Sequence, residues 1–438
     1  MKLHLVSLGC SKNLVDSEIM LGRLKRVGWQ TTPDPAKADM IIVNTCSFIK
    51  TAVNESIDMI LELVNFKKTG ACRRLVVTGC LPERFREDIV QSLPEVDLFL
   101  GTGGYDKIES ILKPSRDISG CILPDPDLIF PQGKDDPRVR STPHIAYLKI
   151  AEGCNRRCTY CIIPKLRGKQ KSRSLEDIVP EARSLISSGV KELILVAQET
   201  TAYGSDLSPT VDFAELLKQI SDHSDKIWMR ALYGHPESLS ESAIETIAER
   251  RNICSYFDIP IQHVSNRVLK QMGRNYSCNT LYRLFDKIRS SDPEAALRTT
   301  LLVGFPGETD KDFEALLTFV QTICFQHLGV FIYSDMDDLP SYGLSAPVPE
   351  TVAKERYEQV MAVQAGISLK NNQKQIGRTY QTLVEGRQDD NTFSGRTQFQ
   401  APEIDGVTYI HSSRLLVGSF TTVRIIGALE YDLIGETV

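Results

Sequence analysis

The chain has 438 residues, 42% hydrophobic and 24% charged, with a formal net charge of −5. That length exceeds one ordinary domain and suits roughly two to four, while the acidic balance and a pI near 5.9 give no general drive toward nucleic acid. No apolar run approaches the roughly 18 residues of a membrane span, and Lys12 and Asp16 come too early for a signal peptide, so a soluble, cytoplasmic protein is expected.

Residues 1–113 alternate between strand-like and helical patterns, which predicts an α/β domain with a doubly wound parallel sheet. Strands are expected at 3–8, 40–43, 75–77 and 97–100. Helices are expected at 13–27, where Leu14, Met20, Leu21, Leu24 and Val27 share one side, at 51–64, and from about Pro82. Cys10, Cys46 and Cys80 each end one of the first three strands. In a doubly wound sheet such ends converge on one edge, where these folds build their sites. A lone cysteine there is usually a small core residue, but three at equivalent places point to a second three-cysteine metal cluster. Cys72, Cys121, Cys254, Cys278 and Cys324 show no such placement and read as ordinary thiols.

Residues 117–137 are rich in Pro and Asp and read as a linker. Strands follow at 146–150, 192–196, 228–232, 256–260, 297–303 and 329–333, with amphipathic segments such as 175–187 between them. About six βα units are countable, short of the eight that close a barrel. After the first strand stand Cys154, Cys158 and Cys161, spaced so that one loop can wrap three thiolates round a cubane iron-sulfur cluster and leave its fourth iron open. Structural zinc wants four closed ligands, and no fourth Cys or His lies nearby. The basic stretch 164–173, with Lys165, Arg167, Lys169, Lys171 and Arg173, reads either as a solvated turn or as an attractor for an acidic group near the cluster. Residues 376–438 change to short β-like runs between Gly, Asp and Asn turns and predict a small all-β barrel. That module has five arginines against eight acidic residues, so a basic protein is a better partner for it than RNA.

The Cys-x-x-x-Cys-x-x-Cys loop resembles that of the radical S-adenosylmethionine (SAM) enzymes, whose open iron is chelated by SAM. With all motifs assembled, the whole chain resembles the methylthiotransferases: an N-terminal domain bearing a second iron-sulfur cluster (1–115), a linker (116–139), a radical SAM core with a partial (β/α)6 barrel (140–372) and a C-terminal TRAM barrel (373–438). Ser-Leu-Gly-Cys-Ser-Lys-Asn-Leu-Val-Asp (7–16), Gln-Glu-Thr-Thr-Ala-Tyr-Gly (198–204) and Asp-Ile-Pro-Ile-Gln-His (258–263) are similar to the RimO group, which modifies ribosomal protein uS12. The sister group acting on tRNA adenosine typically reads Gln-Ser-Gly where this chain has Gln262, His263 and Val264.

The resemblance implies methylthiolation at the β-carbon of an aspartate of uS12. Two 4Fe-4S clusters are implied, on Cys154, Cys158 and Cys161 and on Cys10, Cys46 and Cys80. The first would cleave SAM to a hydrogen-abstracting radical. The second would hold the sulfur, methylated by another SAM. An unactivated C–H bond does not yield to acid-base chemistry, so the cofactors carry the difficult step. Tyr160, Gln198, Glu199, Arg298 and Gly304 are the implied SAM contacts, and Gln262 and His263 sit just past a strand end. Implied partners are uS12 of the 30S subunit as substrate, an electron donor such as flavodoxin or ferredoxin, and a sulfur carrier, with no membrane and no nucleic acid substrate. Residues 333–342 depart from the family by lacking its Gly-Thr turn. The rivals are the same chemistry on tRNA and a non-catalytic iron-sulfur carrier.

Overall fold

Near-continuous apolar runs such as Met40–Thr45 suit strands covered on both faces, and the computed structural model, which describes residues 1–113, 119–128 and 133–438, places them so. Six strands, β1 (Lys2–Ser7), β2 (Gln30–Thr31), β3 (Met40–Thr45), β4 (Arg74–Gly79), β5 (Leu98–Leu100) and β6 (Gly120–Ile122), form a parallel sheet in the order β2-β1-β3-β4-β5-β6. Alternate residues of β3 feed two cores. Ile41 and Val43 join Val53, Ile60 and Leu63 on one face, and Met40 and Ile42 join Met20 and Leu24 on the other. The stretch expected to be a linker is partly structured: β6 lies within it and extends this sheet, because Gly120, Cys121 and Ile122 pair with Leu98, Phe99 and Leu100.

The second unit holds β7 (Ile145–Lys149), a short ribbon of β8 (Ala151–Glu152) and β9 (Lys171–Ser172), then β10 (Glu192–Val196), β11 (Trp228–Ala231), β12 (Tyr256–Asp258), β13 (Ala296–Val303) and β14 (His327–Ile332). Two parallel three-stranded sheets, β11-β10-β7 and β12-β13-β14, meet through a Met229–Ile253 bridge and make the expected six-stranded open barrel. The last unit, β15 (Thr379–Arg387), β16 (Thr392–Thr397), β17 (Thr408–His411), β18 (Phe420–Ala428) and β19 (Leu433–Thr437), is a closed barrel around Val384, Phe393, Ile410, Val423 and Ile425. Among the described residues no helix is long and apolar enough to cross a membrane.

One apolar cluster joins all three units. Val15 and Ile19 of helix Ser11–Arg26 pack with Tyr147, Ile194, Trp228 and Tyr256 of the open barrel, and with Leu383 and Ala401 of the closed one. Buried charge reinforces the joints. Arg396 pairs with Glu192 at 2.5 Å and Glu385 at 2.6 Å, and Arg230 also pairs with Glu192, at 2.7 Å. Asp405 is withdrawn too, accepting from Tyr256 at 2.6 Å. One charge of each sign thus leaves the surface of the C-terminal module, whose acidic excess is unchanged.

Candidate functional site

Cys46 and Cys80 directly follow β3 and β4, and Cys10 comes three residues after the end of β1; the three strands are adjacent in the parallel sheet. The strand order reverses between β1 and β3, the crevice where open α/β sheets place ligands. Gly9 precedes Cys10 with φ of +85°, and a Cβ there would lie 2.5 Å from that of Cys46, so glycine alone lets these strand ends close together. Cys154, Cys158 and Cys161 occupy the loop after β8. Cys154 N–H donates to the Gly168 carbonyl at 3.1 Å, and a Cβ on Gly153 would stand 2.1 Å from the Lys169 carbonyl oxygen. All six cysteines line a single cavity of about 500 Å³, walled by both domains. None of the eleven cysteines is in a disulfide.

Charge is tightly organised around this cavity. Arg167 spans the domain boundary, reaching Asp16 at 2.7 Å, the Asn13 side chain, and Cys80 Sγ at 3.6 Å. Lys149 bridges Asp16 and Glu152. Burial alone would raise the Glu152 carboxyl, but Lys149 and Arg167 hold it down at about 2. The thiols divide. Burial pushes Cys46 and Cys161 up to about 12 and Cys154 to about 11, and it raises Cys80. Burial also opposes ionisation of Cys10, yet Lys12 and Arg167, with the backbone N–H groups of Asn13 and Lys12, together more than offset it and leave that thiol below its ordinary value. Buried thiols of this kind become thiolates when a metal supplies the missing positive charge.

Of the expected SAM contacts, Tyr160, Gln198 and Glu199 line the cavity. Arg298 and Gly304 do not. Arg298 stands near the amino end of β13, opposite the strand ends that carry the cavity, and pairs with Asp258 at 3.0 Å and Asp405 at 3.4 Å. Gly304 instead admits the helix Glu350–Gln373, since a Cβ there would meet that of Ala353 at 2.6 Å. Gln262 lines the cavity, whereas His263 is buried in a turn, its Nδ1 accepting from the N–H groups of Val264 and Ser265. The basic stretch is neither free turn nor open anion trap: Arg167 and Arg173 are buried in ion pairs, and Lys165 and Lys169 are exposed.

Lys12, Arg156, Tyr233, His235 and Arg274 also line the cavity, and sequence reasoning missed them as a group. Tyr233 and Gln262 both hold φ of +64°, a strained backbone that clusters at functional sites and leaves no mark in residue type. Lys12 had a signal: it lies two residues past Cys10. The departing segment 333–342 has a definite place. Met336 and Leu339 pack on Cys80, Ile162 and Leu166, Asp338 takes the buried Arg84 guanidinium at 2.5 Å, and Ser341 N–H donates to Thr159 O at 3.0 Å. It therefore packs on Cys80 of one set and on the loop that carries the other.

The donor set fits iron-sulfur chemistry. Among the described residues no three Cys, His, Asp or Glu side chains are grouped tightly enough for one metal ion; a cubane spreads its thiolates over a wider triangle. Among the described residues, cavity-lining Gln198 Oε1, His235 Nε2 and Arg274 Nη1 are buried without a partner, an acceptor and two donors such as an amino acid group would satisfy.

Family comparisons agree with this architecture. Residues 2–101 match the model described as "Uncharacterized protein family UPF0004", 148–320 the radical SAM superfamily and 376–438 the TRAM domain. The chain is 53% identical over 438 residues to the ribosomal protein uS12 methylthiotransferase RimO of Desulfosudis oleivorans, covering 100% of both, and 47% identical to that of Clostridioides difficile, covering 100% of this chain and 99% of the relative. In fold it is similar to the radical SAM methyltransferase TsrM of Kitasatospora setae, with a TM-score of 0.59 at 13% identity over 84% of this chain and 89% of that one.

Proposed function

The chain belongs to the uS12 methylthiotransferase family within the radical SAM superfamily, and from that premise we propose that it inserts a methylthio group at the β-carbon of an aspartate of uS12, using two SAM molecules. One observation carries the reading: two three-cysteine sets from two domains line one cavity. Cys154, Cys158 and Cys161 hold the 4Fe-4S cluster that radical SAM chemistry implies, and Cys10, Cys46 and Cys80 hold a second. When bound, clusters and SAM supply the electron, the hydrogen abstraction, the sulfur and the methyl group.

The protein's part is orientation and exclusion of water. Gln198 Oε1, His235 Nε2 and Arg274 Nη1 offer the polar end of SAM an acceptor, a neutral donor and a cationic donor. His235 stays neutral, because burial beside Arg274 and Arg156 pushes its imidazole down to about 2. Arg274 also donates to the Tyr160 hydroxyl at 2.6 Å, which fixes the ring within the cluster loop. Ile49, Ile163 and Leu166 make the wall apolar. Phe48 and Phe331 line the same cavity yet are 41% and 49% exposed, an apolar rim suited to an entering polypeptide segment. The acidic C-terminal barrel favours a basic protein over tRNA. A flavodoxin- or ferredoxin-type donor and a sulfur carrier complete the partners.

The test incubates anaerobically reconstituted protein with SAM, reductant and either uS12 or unmodified tRNA, followed by mass spectrometry. A methylthio addition on a uS12 aspartate is expected. Addition to tRNA would overturn the substrate, and absence of SAM cleavage would favour an iron-sulfur carrier.

A further inference from the structure

Four cations line the cavity, and they are not alike. Arg156 pairs with Glu199 at 2.8 Å and Glu237 at 2.9 Å, and Arg167 with Asp16 at 2.7 Å. Arg274 lies beside Tyr160 and Tyr276, on the side of the cysteine loop. Lys12, like Arg274, has no ion-pairing carboxylate among the described residues, but it alone of the four comes from the domain of Cys10, Cys46 and Cys80. It is 8% exposed, it stands in the first turn of helix Ser11–Arg26 two residues from Cys10, and among the described residues no carboxylate lies within ion-pairing distance of it.

What Lys12 does have is a ring. Its Nζ stands 3.2 Å from the centroid of Tyr233. Such a contact offsets only part of the cost of burying an ammonium, and the acidic group beside it on the chain is the Cys10 thiol, which Lys12 helps to ionise. The ring is itself held firmly, in the strained backbone noted above: Tyr233 N–H donates to Asp258 Oδ2 at 2.8 Å, and its hydroxyl lies 3.3 Å from Ser11 Oγ. A fixed, buried cation with no carboxylate partner among the described residues thus faces the cavity beside the strand-end cysteine set.

We infer that Lys12 binds the carboxylate of the target aspartate and is the residue that makes the site select aspartate over its neutral isostere. The inference rests on the proposed uS12 reading and deepens it. In an aspartate the carboxylate is one bond from the β-carbon, so a cation that fixes it also fixes the carbon that accepts the sulfur. Lys12 is contributed by the same domain as Cys10, Cys46 and Cys80, so one domain holds both the anchor and the thiols. Arg274, packed against Tyr160 of the other set, is left to the SAM side.

The test measures binding of uS12, and of uS12 carrying Asn in place of the target Asp, to reconstituted holoenzyme by titration calorimetry. It uses wild type, Lys12→Met and Lys12→Arg, with iron content determined for each. Wild type should bind the Asp form roughly thirtyfold or more tightly than the Asn form, Lys12→Met should lose at least tenfold of that ratio, and Lys12→Arg should recover much of it. An unchanged Asp-to-Asn ratio in Lys12→Met overturns the inference, and so does a wild type with no preference. An unchanged ratio combined with lost iron would assign Lys12 to the metal cluster instead. If wild type methylthiolates no uS12 at all, the underlying functional reading falls; a methylthiolating wild type whose preference survives Lys12→Met refutes this inference alone.

Discussion

The two halves of the cavity wall each gather three thiols, in opposite ways. On the barrel side Cys154, Cys158 and Cys161 share one loop, braced by its own neighbours Gly168 and Lys169. On the sheet side Cys10, Cys46 and Cys80 come from three strand ends, and their meeting depends on β1, β3 and β4 lying side by side. A local set needs only spacing, and a distributed one needs a fold. The second arrangement puts its thiols at a topological switch point and makes them as rigid as the sheet beneath.

The largest expected effect separates the halves by function. Replacing Cys154, Cys158 or Cys161 with Ala should reduce SAM cleavage to background, whereas replacing Cys10, Cys46 or Cys80 should leave cleavage and stop methylthio insertion; product analysis of both reactions by mass spectrometry checks this. Retained insertion in Cys46→Ala would erase the distinction.

A smaller effect tests how each half is built. Gly9→Val forces a side chain onto Cys46 and an unfavourable left-handed residue worth about 1–2 kcal/mol. Iron content should fall by about half, with SAM cleavage retained. Gly153→Val, against the Lys169 carbonyl, should instead stop cleavage. Equal losses in both variants would mean that the halves are not independent.

The smallest effect is a pH dependence confined to the barrel half, where His235 is the one histidine lining the cavity among the described residues. The folded protein keeps it neutral down to about 2, whereas the unfolded chain takes up the proton near 6.5. Its contribution to stability is therefore whole above about 6.5 and lost as pH falls from there, by at most about 1.4 kcal/mol per pH unit. His235→Gln should flatten urea-unfolding stability between pH 7 and 5.5 by about 1 kcal/mol. An unchanged slope would remove His235 as the source.

Much of this was legible from residue order alone. The cysteine loop is encoded in eight residues, the strand-end cysteines in three repeats of strand followed by thiol, and the three-unit architecture in switches of hydrophobic period. Of the residues expected to contact SAM, Tyr160, Gln198 and Glu199 reach the cavity because they lie in the cluster loop or at a strand's carboxyl end, while Arg298 falls near the other end of its strand, eight residues long.

Helix Ser11–Arg26 marks the boundary between the two kinds of information. Its apolar stripe of Met20, Leu21 and Leu24 is periodic, and periodicity is a property of sequence. Around that stripe stand Lys12, Asp16 and Glu18, charged residues that read as solvent-facing but are buried. Those charges are tolerated because Lys149, Arg167 and Arg138 arrive from more than a hundred residues downstream to meet Asp16 and Glu18, and Tyr233 arrives to cover Lys12. Local composition fixed which side chains exist and how each segment coils. Only the tertiary structure decided which charges were neutralised and which was left open, because partners so distant in the chain are supplied by packing and by nothing nearer.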